Sequence, residues 1–522
     1  MVQKKYILAA LVSAALLAVF FMMDLTMAQA AKPQPPSPTP TLPPLPAGNY
    51  YVSTTGSDAN PGTYALPWQH IQVALDRVDA GSTVYVMGGV YNETVTFIRS
   101  GMAGAYISLQ NYPGQAPVID GTGIPISGET GLVVIENKAF VRLVGFEIRN
   151  LKAGGNSKAF PAGIWIRGNG SYIEIRDNWV HDIENSCKHC GAHGIAVYGR
   201  DPDTSINHLI LDGNEVSNGK FGWSESLVLN GNVEKFVVSN NKVHDNDNIG
   251  IDFIGFEGEN PDPAVDRARD GSVTGNLVYN IDSYPNPAYG GERSADGIYV
   301  DGGTNIIIER NTVHHTNIGI ELASEHAGKD TSYITLRSNF IYANTQVGIA
   351  IGGYDTLRGS TIGCVIVNNT LFNNFTQGDW GAELYVQYDT QNNLIKNNIL
   401  YANAYKRYIE SWSAVMSGNV VDYNLYYAGD SSTSGTWIWK NVTYNTFLDY
   451  QQATANDVNG LAGLDPLLVS TTTPDLHLQP GSPAINRGEN LAEAGSYDID
   501  GEKRIWGKII DLGADEVKGK TK

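Results

Sequence analysis

The stretch NNKVHDNDNIGIDFIG, residues 240–255, contains both halves of a pattern that returns along most of the chain. In its first half an asparagine is followed by a short run that mixes apolar and polar residues. The same phrase begins at nine asparagines: Asn178, Asn214, Asn241, Asn276, Asn311, Asn339, Asn369, Asn398 and Asn419. The gaps between them run from 21 to 36 residues, which is too irregular for propeller blades but typical of a solenoid whose coils carry insertions.

The second half, GIDFIG, also recurs, and it has the period-2 alternation of a short strand bounded by turn residues. Its copies occupy residues 163–168, 194–199, 250–255, 297–302, 319–324 and 348–353, with variants at 226–231 and 383–388. Each coil therefore supplies at least two strands. Coils that stack in parallel would bring the asparagines into a hydrogen-bonded ladder. We therefore predict an all-β fold, a right-handed parallel β-helix over residues 49–455.

The beginning of this region fits a cap for the open end of the stack. Residues 70–78, HIQVALDRV, have helical periodicity, and a short amphipathic helix would cover the first coil. The opening and the coils together, residues 49–450, resemble the secreted pectin-lyase-like β-helix proteins. Residues 456–522 resemble the small C-terminal module of bacterial cell-surface β-helix proteins, and we expect them to cap the solenoid. Within that module DIDGEKR (498–504) is interpreted as a turn, because it lacks the spacing of a calcium loop.

The N-terminus predicts export. Residues 1–30 combine Lys4 and Lys5 with a long apolar run and a small-residue cleavage site at Ala28–Ala30, as in a signal peptide; an uncleaved membrane anchor is the alternative. Residues 31–48 form a proline-rich linker. We expect a secreted or cell-surface monomer. The net charge of −19 argues against a nucleic-acid partner, because phosphate binding needs a basic surface.

The alternation also assigns a direction to Asp252. In GIDFIG the apolar positions face the interior, so Asp252 faces outward, and the same argument places Asp301 and Glu321 on that face in the following coils. Coil spacing and strand rise put the Cα atoms of Asp252 and Asp301 about 8 Å apart. This separation suits the two carboxylates of an inverting glycosidase. Asp252, Asp301 and Glu321 are therefore the predicted catalytic residues.

Two insertions, 256–271 and 281–295, flank these strands and could wall a cleft for a polysaccharide. Aromatic rings that could stack on sugars include Tyr284 and Tyr354, and Glu257 and Arg293 could also reach the cleft. The predicted substrate-binding residues are Tyr299, Trp165, Arg167, Asn230, Asp296, Glu325, His326 and Tyr289.

The segment HDNDNIGIDFIG resembles the site strand of the family-nine polysaccharide lyases. The resemblance implies calcium bound by a pair of aspartates and a further aspartate, and a lysine base on the next coil. Asp252 matches the last aspartate, but Asn248 and Ile249 replace the pair, and Tyr299 replaces the lysine. No cofactor is therefore firmly predicted. Calcium is the candidate, with Asp252, Asp296 and Asp301 as its candidate ligands.

These residues favour hydrolysis by carboxylates, with Asp301 or Glu321 as acid and Asp252 as base or nucleophile. Calcium-dependent β-elimination, a glycan-binding surface without chemistry and a structural stalk are the alternatives. The chemical state of the cysteines is a separate question. For Cys187 and Cys190, near His189 and His193, a local disulfide or free loop thiols are favoured over a zinc site in an exported protein, and Cys364 is expected to be a buried thiol.

Overall fold

The computed structural model describes residues 45–518. The predicted signal segment and most of the proline-rich linker lie outside the described residues. No helix among the described residues is long and apolar enough to cross a membrane.

The described chain is a right-handed parallel β-helix, as predicted, and its coils have three faces. The first face, which we call the site face, comprises Val95–Phe97, Gly128–Val144, Ala159–Arg176, His193–Gly199, Leu227–Gly231, Ile251–Ile254, Asp296–Asp301, Ile318–Ala323, Val347–Ile351, Leu384–Val386, Arg407–Glu410 and Ser434–Trp439. The second face comprises Asn49–Val52, Thr83–Val86, Ile107–Asn111, Ile206–Asp212, Val237–Ser239, Arg269–Thr274, Thr304–Glu309, Thr335–Arg337, Val365–Val367, Leu394–Lys396 and Val420–Asp422. The third face comprises Gly89–Tyr91, Pro117–Asp120, Glu147–Arg149, Trp179–His181, Glu215–Ser217, Lys242–Asn246, Leu277–Ile281, Thr312–Thr316, Phe340–Tyr342, Thr370–Phe372, Ile399–Tyr401, Leu425–Tyr427 and Leu461–Ala462.

Several shorter elements complete the fold. Two long strands, Gly128–Val144 and Ala159–Arg176, continue from the site face into the second face. Short strands that join these faces in other coils are Val233–Glu234, Asp330–Ser332, Ser360–Ile362, Thr390–Gln391 and Met416–Ser417. The remaining elements are Val442–Thr446, Leu468–Ser470, Asp475–Leu478, the helices α1 (Ile71–Arg77) and α2 (Phe447–Thr454), and a 3-10 turn at Ala492–Ala494.

The predicted asparagine ladder is present at one corner of the helix. From Asn178 to Asn398, each ladder asparagine donates its Nδ2 to the Oδ1 of the ladder residue in the next coil, at 2.9–3.0 Å. The same oxygen accepts a backbone N–H, so each buried amide is paired on both sides.

The last predicted member of the ladder is wrong. Asn398 donates to Asn424, which in turn donates to Asp457, whereas Asn419 accepts from Asn393 in a separate column one corner earlier. Asn419 and Asn424 occupy consecutive corners of the same coil. Because both corners use an asparagine before an apolar pair, the local pattern did not distinguish them.

The two ends of the described chain are built differently. Helix α1 forms where predicted and buries Ile71, Ala74 and Leu75 against the first coils. At the other end helix α2 covers the last coil, with Phe447 and Tyr450 packed against Trp437.

Leu461–Ala462 adds one strand to the third face. The remainder of the segment after residue 456 does not cap the stack, contrary to our expectation. It lies along the third face, where Leu476 and Leu512 pack on a cluster that contains Phe340, Phe372 and Ile399. Apolar side chains that point outward from several successive coils give this segment a lateral surface to bury, and α2 already closes the end.

Candidate functional site

The strand that carries Asp252, Ile251–Ile254, has the predicted orientation. Ile251 and Phe253 point into the main core, and Asp252 points away from it. Its register places Asp252 beside Tyr299, which is in turn beside Glu321 in the next coil. The outward column derived from the repeat is therefore confirmed.

The outward face is covered rather than solvated. Asp252, Asp301 and Glu321 are 2%, 4% and 6% exposed. Charged groups removed from water are costly unless they are paired, protonated or bound to a metal ion. We use the name acidic cluster for the carboxyl groups that influence one another here: Glu225, Asp252, Glu257, Asp296, Asp301, Glu321 and Glu325.

Asp296 and Glu321 form a carboxyl pair at the centre of the acidic cluster. Their side chains lie within hydrogen-bond reach of each other, and Gln387 Nε2 donates to Glu321 Oε1 at 2.9 Å. Burial raises the pKa of Glu321 to about 7, and burial together with Glu321 raises the pKa of Asp296 well above its usual value. A pair of this kind holds a proton near neutral pH, as a general acid requires.

Asp252 lies next to this pair. Its Oδ1 has no hydrogen-bond partner, and burial, Glu225 and Asp301 raise its pKa, in that order of effect. Glu225 is buried as well, with its carboxylate 3.5 Å from His193 Nδ1. Asp252 is therefore a carboxyl group with an unpaired Oδ1 next to a proton donor, and Asp296 Oδ1 is likewise without a hydrogen-bond partner.

Sequence reasoning missed Glu225. It lies two residues before the first apolar residue of its strand, at the same offset as Asp296 in a later coil and His193 in an earlier one. This offset forms a third outward column. Comparing the residues at this offset across the coils would have identified Glu225, because Glu225 and Asp296 are both acidic at this position.

Glu257, Asp301 and His326 meet at the rim of the acidic cluster. One ligand atom of each lies within 4.8 Å of the others. Asn230 donates to Glu257 Oε2 at 2.7 Å, and the backbone N–H of Glu325 donates to Asp301 Oδ1 at 2.7 Å. Burial and Arg358 lower the pKa of His326, and its Nε2 has no partner.

Other predicted substrate-binding residues also lie around the cluster. Tyr299 is 5% exposed and packs between Ile249 and Ala323. Tyr289 donates its hydroxyl to Asn248 Oδ1 at 2.7 Å. Burial and Asp301 raise the pKa of Tyr299 well above its usual value, which is opposite to what a catalytic base needs.

Trp165 and Arg167 are placed elsewhere. Trp165 is three coils before Asp252, about 14 Å along the stack, and is 1% exposed in a small apolar cluster. Arg167 forms ion pairs with Glu129 and Glu136. Neither residue forms a hydrogen bond or an ion pair with the acidic cluster, because a shared column position does not imply a shared neighbourhood when coils intervene.

The structure decides between the two states left open for Cys187 and Cys190 and agrees with the expectation for Cys364. Cys187 and Cys190 form a disulfide, and Cys364 is a buried free thiol. The zinc alternative therefore does not apply to this pair.

Comparison with known proteins agrees with the fold. Residues 50–218 match the family model described as Pel9A-like, right handed beta helix region, and residues 264–449 match a right handed beta helix region. The uncharacterized protein YwoF of Bacillus subtilis is 40% identical over 440 residues, which cover 84% of this chain and 92% of YwoF. The chain belongs to the same right-handed β-helix family as YwoF.

Two further relatives are named for lyase activity. Pectate lyase PEL9 of Emericella nidulans is 43% identical over 81 residues, 15% of this chain and 20% of that enzyme. The crystal structure of pectate lyase Pel9A aligns over 90% of this chain and 96% of its own, with 16% identity and a TM-score of 0.45.

The calcium position implied by the family-nine lyases does not fit the donors of this chain. Asn248, at the first replaced aspartate, uses its Nδ2 on the carbonyls of Gly222 and Ser224 and its Oδ1 on Ile249 N–H and the Tyr289 hydroxyl. Ile249, at the second, offers no side-chain oxygen. Asp252 alone remains from that ligand set, which is too little for a cation that takes six to eight oxygens.

Proposed function

We propose that this protein is an extracellular carbohydrate-active enzyme that cleaves glycosidic bonds of a polysaccharide by carboxylate-based hydrolysis. The observation that carries the proposal is the buried Asp296–Glu321 carboxyl pair beside Asp252. One carboxyl group that retains a proton and a second that is free to act as base or nucleophile are the two groups that glycoside hydrolysis needs.

In this mechanism the Asp296–Glu321 pair delivers its proton to the glycosidic oxygen while the bond from that oxygen to the anomeric carbon breaks. The carboxylate of Asp252 removes a proton from the attacking water, or attacks the anomeric carbon itself before water replaces it. Gln387 keeps Glu321 oriented through its hydrogen bond. In the first route the proton lost by the pair is balanced by the proton gained by Asp252. In the second route the deprotonated pair takes a proton from the water that displaces Asp252, so the pair and Asp252 both return to their starting states.

The sugar would approach from the side of Glu257, whose side chain is exposed, between the loops after residues 255 and 323. Tyr354 is 44% exposed next to Glu325, and Tyr284 is 54% exposed under the guanidinium of Arg293. Exposed rings of this kind stack well on sugar faces. They are the proposed walls of the binding cleft.

β-Elimination is the second candidate, and the Pel9A-like family match supports it. It requires a base near a uronate. The raised pKa of Tyr299 and the occupied donors of Asn248 weigh against the arrangement of the family-nine lyases. A glycan-binding role without chemistry would leave the acidic cluster dispensable.

The three functions are separated by incubating the full chain with plant and microbial polysaccharides. Hydrolysis yields new reducing ends without an unsaturated product. β-Elimination yields products with the ultraviolet absorbance of a conjugated double bond. Binding in a pull-down assay without either product supports the non-catalytic alternative. Hydrolysis is contradicted if every cleaved product is unsaturated, or if no polysaccharide is cleaved.

A further inference from the structure

The rim of the acidic cluster has the chemistry of a metal site that differs from the calcium position of the family-nine lyases. Within the part of the chain that the structure describes, Glu257, Asp301 and His326 bring two carboxylates and one imidazole together, with one ligand atom of each within 4.8 Å of the others. The residues come from three coils: Glu257 follows the Asp252 strand, Asp301 ends the next strand, and His326 follows the one after it.

Glu257 and Asp301 are each held by a neighbour that leaves a carboxylate oxygen available, and His326 has a free ring nitrogen. Asn230 Nδ2 binds one oxygen of Glu257, and Glu325 N–H binds one oxygen of Asp301. His326 Nε2 is buried without a partner. Such contacts orient the ligands of a metal site without consuming the lone pairs that face the ion.

A second observation also points to an absent ligand. Asn230 is 1% exposed and is bonded to Glu257, yet its Oδ1 has no hydrogen-bond partner. Asp252 is 2% exposed, and its Oδ1 is also unpaired beside Asp301 and Glu257. Buried polar atoms in native proteins nearly always have a partner, so two such oxygens beside a set of metal-ligating residues indicate a cation between them.

We infer that Glu257, Asp301 and His326 bind a divalent first-row transition-metal ion, with zinc and manganese as the leading candidates. Calcium and magnesium take oxygen ligands, whereas an imidazole nitrogen combined with carboxylates suits zinc and its neighbours. Three protein ligands leave coordination positions open, as in a site that also binds water or a sugar oxygen.

The ion has a route to this position. A cleft of about 370 Å³ is lined by Phe256 and Gly258, the chain neighbours of Glu257, and by Lys329 on the loop of His326, although none of the three ligands lines it. The side chain of Glu257 is exposed to solvent. Metal can therefore exchange without unfolding of the coils.

The other comparable cluster in the described residues, His477, Asp500 and Asp515, provides a matched control. Both ring nitrogens of His477 already have carboxylate partners, Nδ1 with Asp475 and Nε2 with Asp500. Its imidazole thus has no free lone pair for an ion.

The test is metal binding by the full chain, measured by calorimetry with zinc, manganese and calcium chlorides after treatment with chelator. We expect one equivalent of zinc or manganese, affinity lowered at least about 100-fold in His326→Ala and in Asp301→Asn, and unchanged affinity in His477→Gln. Circular dichroism confirms that each variant is folded. X-ray absorption of the zinc-loaded wild type should show one imidazole among oxygen donors, and this readout does not depend on any variant.

The inference is overturned if the wild type binds neither zinc nor manganese, if His326→Ala retains wild-type affinity, if His477→Gln loses it, or if the absorption spectrum shows no imidazole or more than one. Because no readout involves a sugar, these outcomes are independent of whether the protein is a hydrolase.

Discussion

The carboxyl groups of Asp296 and Glu321 lie within hydrogen-bond reach of each other on the outer surface of two adjacent coils. Neither has a cation beside it in that contact, and Gln387 holds Glu321 from the other side. A contact between two carboxyl groups needs a proton, and in the proposed mechanism this pair supplies the proton for the leaving group.

Glu321→Gln should reduce hydrolysis about 100- to 10,000-fold, the usual contribution of a general acid, because the amide cannot donate a proton to the leaving oxygen. In the wild type, activity should fall as the pH rises above about 7, since the pKa of Glu321 is raised to about 7 and the acid must be protonated. Reducing ends released against pH measure both effects. Glu493→Gln changes an exposed glutamate outside the two insertions that flank the acidic cluster and should retain wild-type rates. Full activity of Glu321→Gln would remove this residue from the mechanism.

Asp252→Asn should abolish hydrolysis and leave the fold at least as stable as the wild type. The variant removes a carboxyl group whose pKa is raised by burial and by Glu225, so it removes a group that opposes folding when ionised. Its unfolding temperature should therefore be similar to that of the wild type below pH 3.8, the unfolded pKa of the group, and should exceed that of the wild type increasingly as the pH rises to 8. A lower unfolding temperature at pH 8, or unchanged turnover, would contradict this role.

Glu383 should make stability fall as the pH rises. It is fully buried at the end of an asparagine column, accepts both Asn374 N–H and Asn374 Nδ2, and burial raises its pKa to about 8. Between the unfolded value of 4.5 and about 8 the folded state retains a proton that the unfolded state has released. The contribution of this proton to stability is therefore complete below the unfolded pKa and is lost through the folded one.

Glu383→Gln is neutral at every pH and should remove this dependence. Relative to the wild type, its free energy of unfolding should rise by a few kcal/mol between pH 4.5 and pH 8, as measured by urea denaturation. The exposed Glu493→Gln change should give a curve parallel to that of the wild type. If Glu383→Gln also runs parallel to the wild type, the carboxyl group does not hold the proton.

Asn311→Ala should destabilise the solenoid by at least about 3 kcal/mol. The change removes the acceptor of Asn276 N–H and Nδ2 and the donors to Val273 O and Asn339 Oδ1, and it leaves buried groups unpaired. Asn459→Ala removes an exposed amide bonded to Asp422 and should cost less than about 1 kcal/mol. Equal effects of the two variants in chemical denaturation would show that the ladder adds nothing specific.

The repeat predicted the direction of Asp252 correctly because strand alternation is a local property of the backbone. The same alternation placed Trp165 on the same face, but it carried no information on distance along the stack. The asparagine ladder shows the same limit of local sequence patterns. Asn419 and Asn424 have similar patterns, but the column to which each belongs depends on which corner of the coil it occupies.

Composition and period thus determined the right-handed β-helix, its helical N-terminal cap and the outward column of Asp252, Tyr299 and Glu321, because each depends on neighbours a few residues apart. Only the tertiary structure decided that this face is covered, that Asp296 pairs with Glu321, and that Glu257 and His326 meet Asp301. Those relationships join residues from different coils and from long insertions. The path of an insertion is set by what it packs against, and a linear pattern does not contain that information.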